Sequence, residues 1–149
     1  MAKQTITSFF NTYITALKQY DLQAICESYH FPCSLHTPDK IVLLNSINDC
    51  EKEFNVIFEQ LKQAKMSNVN TNNLSYSNVS QSLLLVNIDW EFIDEHGEIF
   101  ADFCAVYHVL LINKAFKIIN VVSHELSNSL VLDNVLEISK NDSLKQVLN

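Results

Sequence analysis

Hydrophobic positions along the chain recur first with a helical period and later with a period of two. Ile6, Phe9, Phe10, Tyr13 and Leu17 fall three or four residues apart, which predicts an amphipathic helix over Thr5 to Gln19. Asp21 reads as the N-cap of a short second helix whose apolar stripe is Leu22, Ile25, Cys26 and Tyr29. Pro32 stops that helix and holds Phe31 extended. A short hairpin follows, with arms Cys33 to His36 and Ile41 to Leu44 and a turn at Thr37-Pro38-Asp39-Lys40. Ser46 and Asp49 form a capping box ahead of Ile47, Cys50, Phe54, Ile57, Phe58, Leu61 and Ala64, which predicts a long third helix.

From Ser67 the period changes to two. Val69 to Val79 is rich in Asn and Ser and reads as a polar strand near a sheet edge. Ser82 to Asp94 alternates cleanly: Leu84, Val86, Ile88, Trp90 and Phe92 share one face, and Asn87, Asp89 and Glu91 share the other. Glu95-His96-Gly97 supplies a turn, Glu98 to Ile112 a long strand, and Lys117 to His124 the last strand after a turn at Asn113-Lys114-Ala115. Leu126 to Asn149 is amphipathic but irregular and could add a strand or a helix. No segment reads as a linker or repeat, so 1–149 is expected to be one domain, with a core over about 5–124 and a C-terminal extension, 125–149. The expected class is α+β, with N-terminal helices packed on a strongly curved, mainly antiparallel sheet and an apolar pocket between the two layers.

Composition narrows the chemistry. All ten basic residues are Lys, and the absence of Arg excludes bidentate guanidinium recognition and any catalytic Arg. A net charge of -7 argues against nucleic acid as a partner. A single Gly, Gly97, excludes a glycine-rich phosphate loop. Cys26, Cys33, Cys50 and Cys104 match neither CxxC nor zinc spacing, and reduced buried thiols are the expectation. No metal or cofactor is expected. The N-terminus lacks the apolar core of a signal peptide and no run is long enough to span a bilayer, so the expected location is cytoplasmic, away from membranes.

The element order, with Tyr13-Ile14-Thr15-Ala16-Leu17 followed by Asp21-Leu22-Gln23-Ala24-Ile25, resembles the nuclear transport factor two-like superfamily over residues 5 to 124. That superfamily has a cone-shaped, cystatin-like fold and includes SnoaL-like and ketosteroid-isomerase-like proteins. The resemblance implies a Tyr on the first helix as an oxyanion donor, and Tyr13 stands there. It implies a general-base Asp beside a Pro, but Thr37 precedes Pro38, and Thr is no base near neutral pH. His108 falls near a second donor. An Asp-Arg-Asp mechanism, as in limonene-epoxide-hydrolase-like members, is excluded by the missing Arg.

The pocket candidates are Tyr13, His36, Trp90, Asp102 and His108, with no catalytic residue assigned. Asp102, Cys104, Val106, His108 and Leu110 share one face of the long strand, and Ala101, Phe103, Ala105, Tyr107 and Val109 the other. A strand apolar on both sides is covered on both sides, and the expected second cover is another subunit, giving a homodimer through the sheet face. Three functions compete: a module binding a small apolar molecule, an isomerase, lyase or cyclase acting on a carbonyl through Tyr13 and His108, and a dimeric interaction domain whose cavity is filled by its own side chains.

Overall fold

The computed structural model describes residues 4–136. Helix α1 spans Ile6–Lys18 and is capped by the Thr5 hydroxyl, which accepts from the Ser8 N–H. It buries Phe9, Phe10, Tyr13, Ile14, Ala16 and Leu17, the stripe read from the spacing plus its flanks. Helix α2, Leu22–Glu27, is capped by Asp21 through the Ala24 N–H. Tyr29 does not extend it. Strand β1 already begins there and runs Tyr29–His36 through a cis Phe31-Pro32 bond, and β2 follows at Ile41–Leu44. Helix α3, Ile47–Gln63, starts at the Ser46 cap, and Asp49 accepts in return from the Asn45 N–H.

Four strands complete the main sheet: β3 (Met66–Asn78), β4 (Leu83–Asp94), β5 (Ile99–Ile112) and β6 (Ala115–His124). A two-residue strand, β7 (Asn134–Val135), adds to β3, and the order is β2-β1-β6-β5-β4-β3-β7. Every neighbouring pair is antiparallel except β1 with β6. Four bulges or shifts of register, between Met66 and Asn68, Asn72 and Ser75, Phe92 and Ile93, and His108 and Val109, interrupt the long strands among the described residues. Such interruptions bend strands and increase their twist. The helices pack on the inner face that results, where Phe10, Ile25, Val86, Ile88, Trp90, Val109 and Ile118 are fully buried.

The pairing of β4 with β5 settles which face of β5 looks inward. Trp90 stands opposite Phe103, and Val86 opposite Tyr107. Paired residues share a face, so Phe103 and Tyr107 are inside, whereas Asp102 and His108 lie outside. The outer face of β4 is also buried at Asn87 and Asp89, at 0% and 5% exposure. Its cover is the chain's own segment after β6: a 3₁₀ turn at Leu126–Asn128, then extended chain leading to β7. The extension thus contributes one short turn and one short strand up to Leu136, and its remainder, 137–149, lies outside the described residues.

Candidate functional site

Between the helices and the inner sheet face lies a cavity of about 360 Å³. Its walls are apolar: Leu17 from α1, Phe54, Ile57 and Leu61 from α3, and Trp90, Phe92 and Phe103 from the sheet. Its rim is polar. Thr37 and Lys40 come from the β1–β2 turn, and Glu53 and Gln60 from α3. Lys40 Nζ and Glu53 Oε2 approach to 3.8 Å there, an exposed pair of small energetic weight.

The depth of the cavity carries three phenols and an indole. Tyr13 Oη and Tyr29 Oη are 2.7 Å apart. Trp90 Nε1 donates to Tyr107 Oη at 2.9 Å. The Tyr13 ring lies 6.2 Å from each of the Tyr29, Trp90 and Tyr107 rings, in tilted or edge-on contact. Burial pushes all three phenols well above the ordinary tyrosine range. The group is therefore a set of neutral donors. Its proton count is also uneven. One of the Tyr13–Tyr29 pair donates to the other, and Tyr107 accepts from Trp90, so two hydroxyl protons remain for an acceptor placed in the cavity.

Among the sequence-derived candidates, Tyr13 and Trp90 line the cavity directly. His36 stands at its rim, where β1 ends, but its Nε2 is 3.0 Å from Ser34 Oγ. Ser34 also accepts from Asn120 Nδ2 at 3.0 Å, and Asn120 Oδ1 is 3.1 Å from His108 Nδ1. A chain of side-chain bonds thus runs His36–Ser34–Asn120–His108 across three strands on the outer face. His108 and Asp102 do not reach the cavity, because the strand's alternation turns them to the other side of the sheet. Thr37, at the position of the family's base, bonds the Asp39 and Lys40 N–H groups and the Lys40 carbonyl, so its hydroxyl closes the hairpin turn. Tyr29, Phe103 and Tyr107 were absent from the candidates. The clean alternation of β4, carried across to β5, was the signal that could have found Phe103 and Tyr107.

The thiols of Cys26, Cys33 and Cys50 are buried behind the cavity, and burial raises each of them, Cys33 to about 11. Among the described residues no group of His, Cys, Asp and Glu has the arrangement of a metal site, and no helix is long and apolar enough to cross a membrane. A second depression, of about 370 Å³, lies between Thr37-Pro38 and the end of β6, lined by Val122, Ser123, His124, Glu125 and Asn128.

Solved structures share this architecture at low identity. A domain of unknown function with a cystatin-like fold from Nostoc punctiforme superposes with a TM-score of 0.65 at 12% identity, over 95% of this chain and 81% of that one. An NTF-2 like protein of unknown function from Shewanella oneidensis gives 0.65 at 13%, over 79% and 94%. A ketosteroid isomerase-like protein from Erwinia carotovora atroseptica gives 0.59 at 12%, over 81% and 93%. At such identities the likeness speaks for fold alone. No curated protein matches the chain. The model of one family, described as NTF2-like protein (DUF6841), matches residues 2–126, and the chain belongs to that family.

Proposed function

We propose that the protein binds a small, largely apolar molecule between its helices and its sheet, with an oxygen acceptor at the buried end of the ligand. The donor surplus at Tyr13, Tyr29 and Tyr107, on the floor of a cavity of about 360 Å³ with apolar walls, carries this reading. Among the described residues the cavity's one lining cation, Lys40, is largely exposed and paired with Glu53 at the rim, which favours a neutral acceptor over a carboxylate at the phenols. A reaction run jointly by Tyr13 and His108 finds no support, because the two lie on opposite sides of the sheet.

Trp90 is the only Trp, and it forms part of the wall. Its emission is therefore a built-in reporter. Titration with 6-propionyl-2-dimethylaminonaphthalene, an apolar ketone dye, is expected to quench Trp90 by energy transfer and to shift the dye emission. Ala101 lines the same space, so Ala101→Phe fills it and is expected to abolish both signals while the far-ultraviolet dichroism is kept. Equal binding by wild type and Ala101→Phe defeats the proposal.

A second reading rests on a separate observation. Ile41 and Leu43 are 62% and 66% exposed on β2. Their strand partners are His36 and Ser34, which places them on the outer face with the histidine chain. That half of the face is where a second copy would dock, as expected for a homodimer. Sedimentation of Ile41→Ser/Leu43→Ser tests it: the double variant is expected to dissociate at concentrations where wild type is dimeric. A monomeric wild type at 100 μM (roughly 100-fold above a micromolar Kd) would end it.

A further inference from the structure

The segment after the 3₁₀ turn crosses the outer face of β4 and β3 as a strap, and it is held in an unusual way. Ser129 Oγ donates to Asp89 Oδ1 at 2.7 Å and accepts from Asn87 Nδ2 at 3.2 Å. The main chain then donates to side-chain acceptors: Leu130 N–H to Asn87 Oδ1, Leu132 N–H to Ser75 Oγ and Asp133 N–H to Ser77 Oγ, each at 3.0 Å. Finally Asn134 and Val135 pair with Tyr76 and Ser75 as β7, and Leu136 N–H donates to the Leu74 carbonyl. The strap's own side chains contribute little apolar burial before Leu136, since Val131 and Val135 are 90% and 75% exposed.

The surface beneath is built for this task. Asn73 donates to Asp89 Oδ2 at 2.6 Å, and the Asn73 carbonyl accepts from Asn87 Nδ2, so acceptors and donors are oriented before the strap arrives. The side-chain acceptors take the N–H groups of residues 130, 132 and 133 in turn, and Asp89 sets the register through one hydroxyl. The strap also lies beyond residue 126, where the family match ends.

We propose that the outer surface of β3 and β4 is a groove for extended chain, read through main-chain donors after a serine, and that the strap of a second copy exchanges into it. A second copy's residues 129–136 make the same contacts as the chain's own, so exchange costs only what the hinge requires. Leu126–Asn128 is a suitable hinge, a single 3₁₀ turn whose N-cap, Glu125, makes no side-chain cap bond. The chain's own strap has the advantage of proximity, so exchange grows with protein concentration.

The test uses full-length chains. Ser77→Cys and Asp133→Cys occupy adjoining positions, because the Asp133 N–H reaches Ser77 Oγ and the neighbouring register pairs Tyr76 with Asn134. In one chain, S77C/D133C is expected to close an internal disulfide on mild oxidation. The two single variants, mixed at high concentration, are expected to give a covalent S77C–D133C dimer. Its yield should exceed several-fold that of D133C mixed with Q23C, whose cysteine lies on exposed α2. Adding Ser129→Ala to the S77C chain loosens that chain's own strap and should raise the yield several-fold, whereas adding Asp89→Asn should lower it. Internal closure with no mixed dimer above the Q23C control overturns the proposal. A fluorescein-labelled peptide of residues 125–136 decides the matter without a disulfide. It should bind S129A several-fold more tightly than wild type and lose binding when D89N is added, and equal affinity for all three overturns the proposal.

Discussion

Tyr13 and Tyr29 share one hydroxyl proton across 2.7 Å at the floor of the cavity, one phenol from the first helix and the other from the first residue of β1. The bond fastens the helical layer to the sheet. Tyr13→Phe and Tyr29→Phe each leave a buried hydroxyl with one partner fewer, at a cost of about 1–2 kcal/mol. Urea unfolding should show the two single losses, and the double variant should lose less than their sum, because both singles break the same bond.

Tyr107→Phe and Trp90→Phe are unequal, although both break the bond between Trp90 and Tyr107. Tyr107→Phe strands the indole N–H with no acceptor and should cost about 1–3 kcal/mol. Trp90→Phe leaves a hydroxyl that can turn to water in the cavity, but it also removes part of a wall whose burial is nearly complete. Apolar ligand binding separates them. Trp90→Phe enlarges the cavity and should still admit the ketone dye, whereas Tyr107→Phe should weaken it about tenfold, the equivalent of roughly 1.4 kcal/mol.

Stability should fall at alkaline pH. Burial holds Tyr13, Tyr29 and Tyr107, and the thiols of Cys33 and Cys50, above their unfolded values. A raised acid is neutral in the folded chain and ionises more readily once unfolded. Its contribution is therefore complete below the unfolded value, about pH 8.5 for thiols and about 10 for phenols, and declines as the pH rises through that range toward the folded value. Urea midpoints should be level with respect to these groups up to about pH 8 and then drop. A Cys33→Ser/Cys50→Ser variant should make the drop in the thiol range shallower, with Cys26 and Cys104, also raised by burial, keeping the remainder. The same burial should keep these thiols unreactive toward a disulfide reagent until the chain unfolds.

Gly97 has φ +79° and nothing within 4 Å of where a Cβ would stand. Gly97→Ala meets no clash, so its cost is conformational alone, about 1 kcal/mol. Gly97→Asn should recover part of that cost, which a comparison of thermal midpoints would show.

The helices were legible because their caps and stripes are local. Asp21 and Ser46 cap where the sequence places them, and Thr5, read as the first residue of its helix, is that helix's cap. The inner face of β4 was legible for the same reason. β5 was ambiguous, since Phe103 and Tyr107 on one side are no more apolar as a row than Val106 and Leu110 on the other. Only its pairing with β4, a contact between residues far apart in sequence, turned His108 and Asp102 outward. Asn87 and Asp89 lie on the face that the sequence assigns to a second subunit, and the strap of the same chain that buries them could not be read because it has no periodicity. Its contacts are made by main-chain N–H groups, which every residue except proline carries. Tyr29 was hidden by continuity, as its spacing from Ile25 and Cys26 suits a helix that β1 replaces.

The long outer strand β3 bears on solubility. It spans 13 residues, and among the described residues β7 pairs with Ser75 and Tyr76. A row of Val or Ile along such a strand would invite pairing with another molecule's strand and fibrils. Here the margin is written in Asn, Ser and Thr, and it is broken by a bulge at Asn73, whose φ of +47° turns the backbone out of line. The composition that made β3 the least readable strand thus protects the protein against edge-to-edge aggregation.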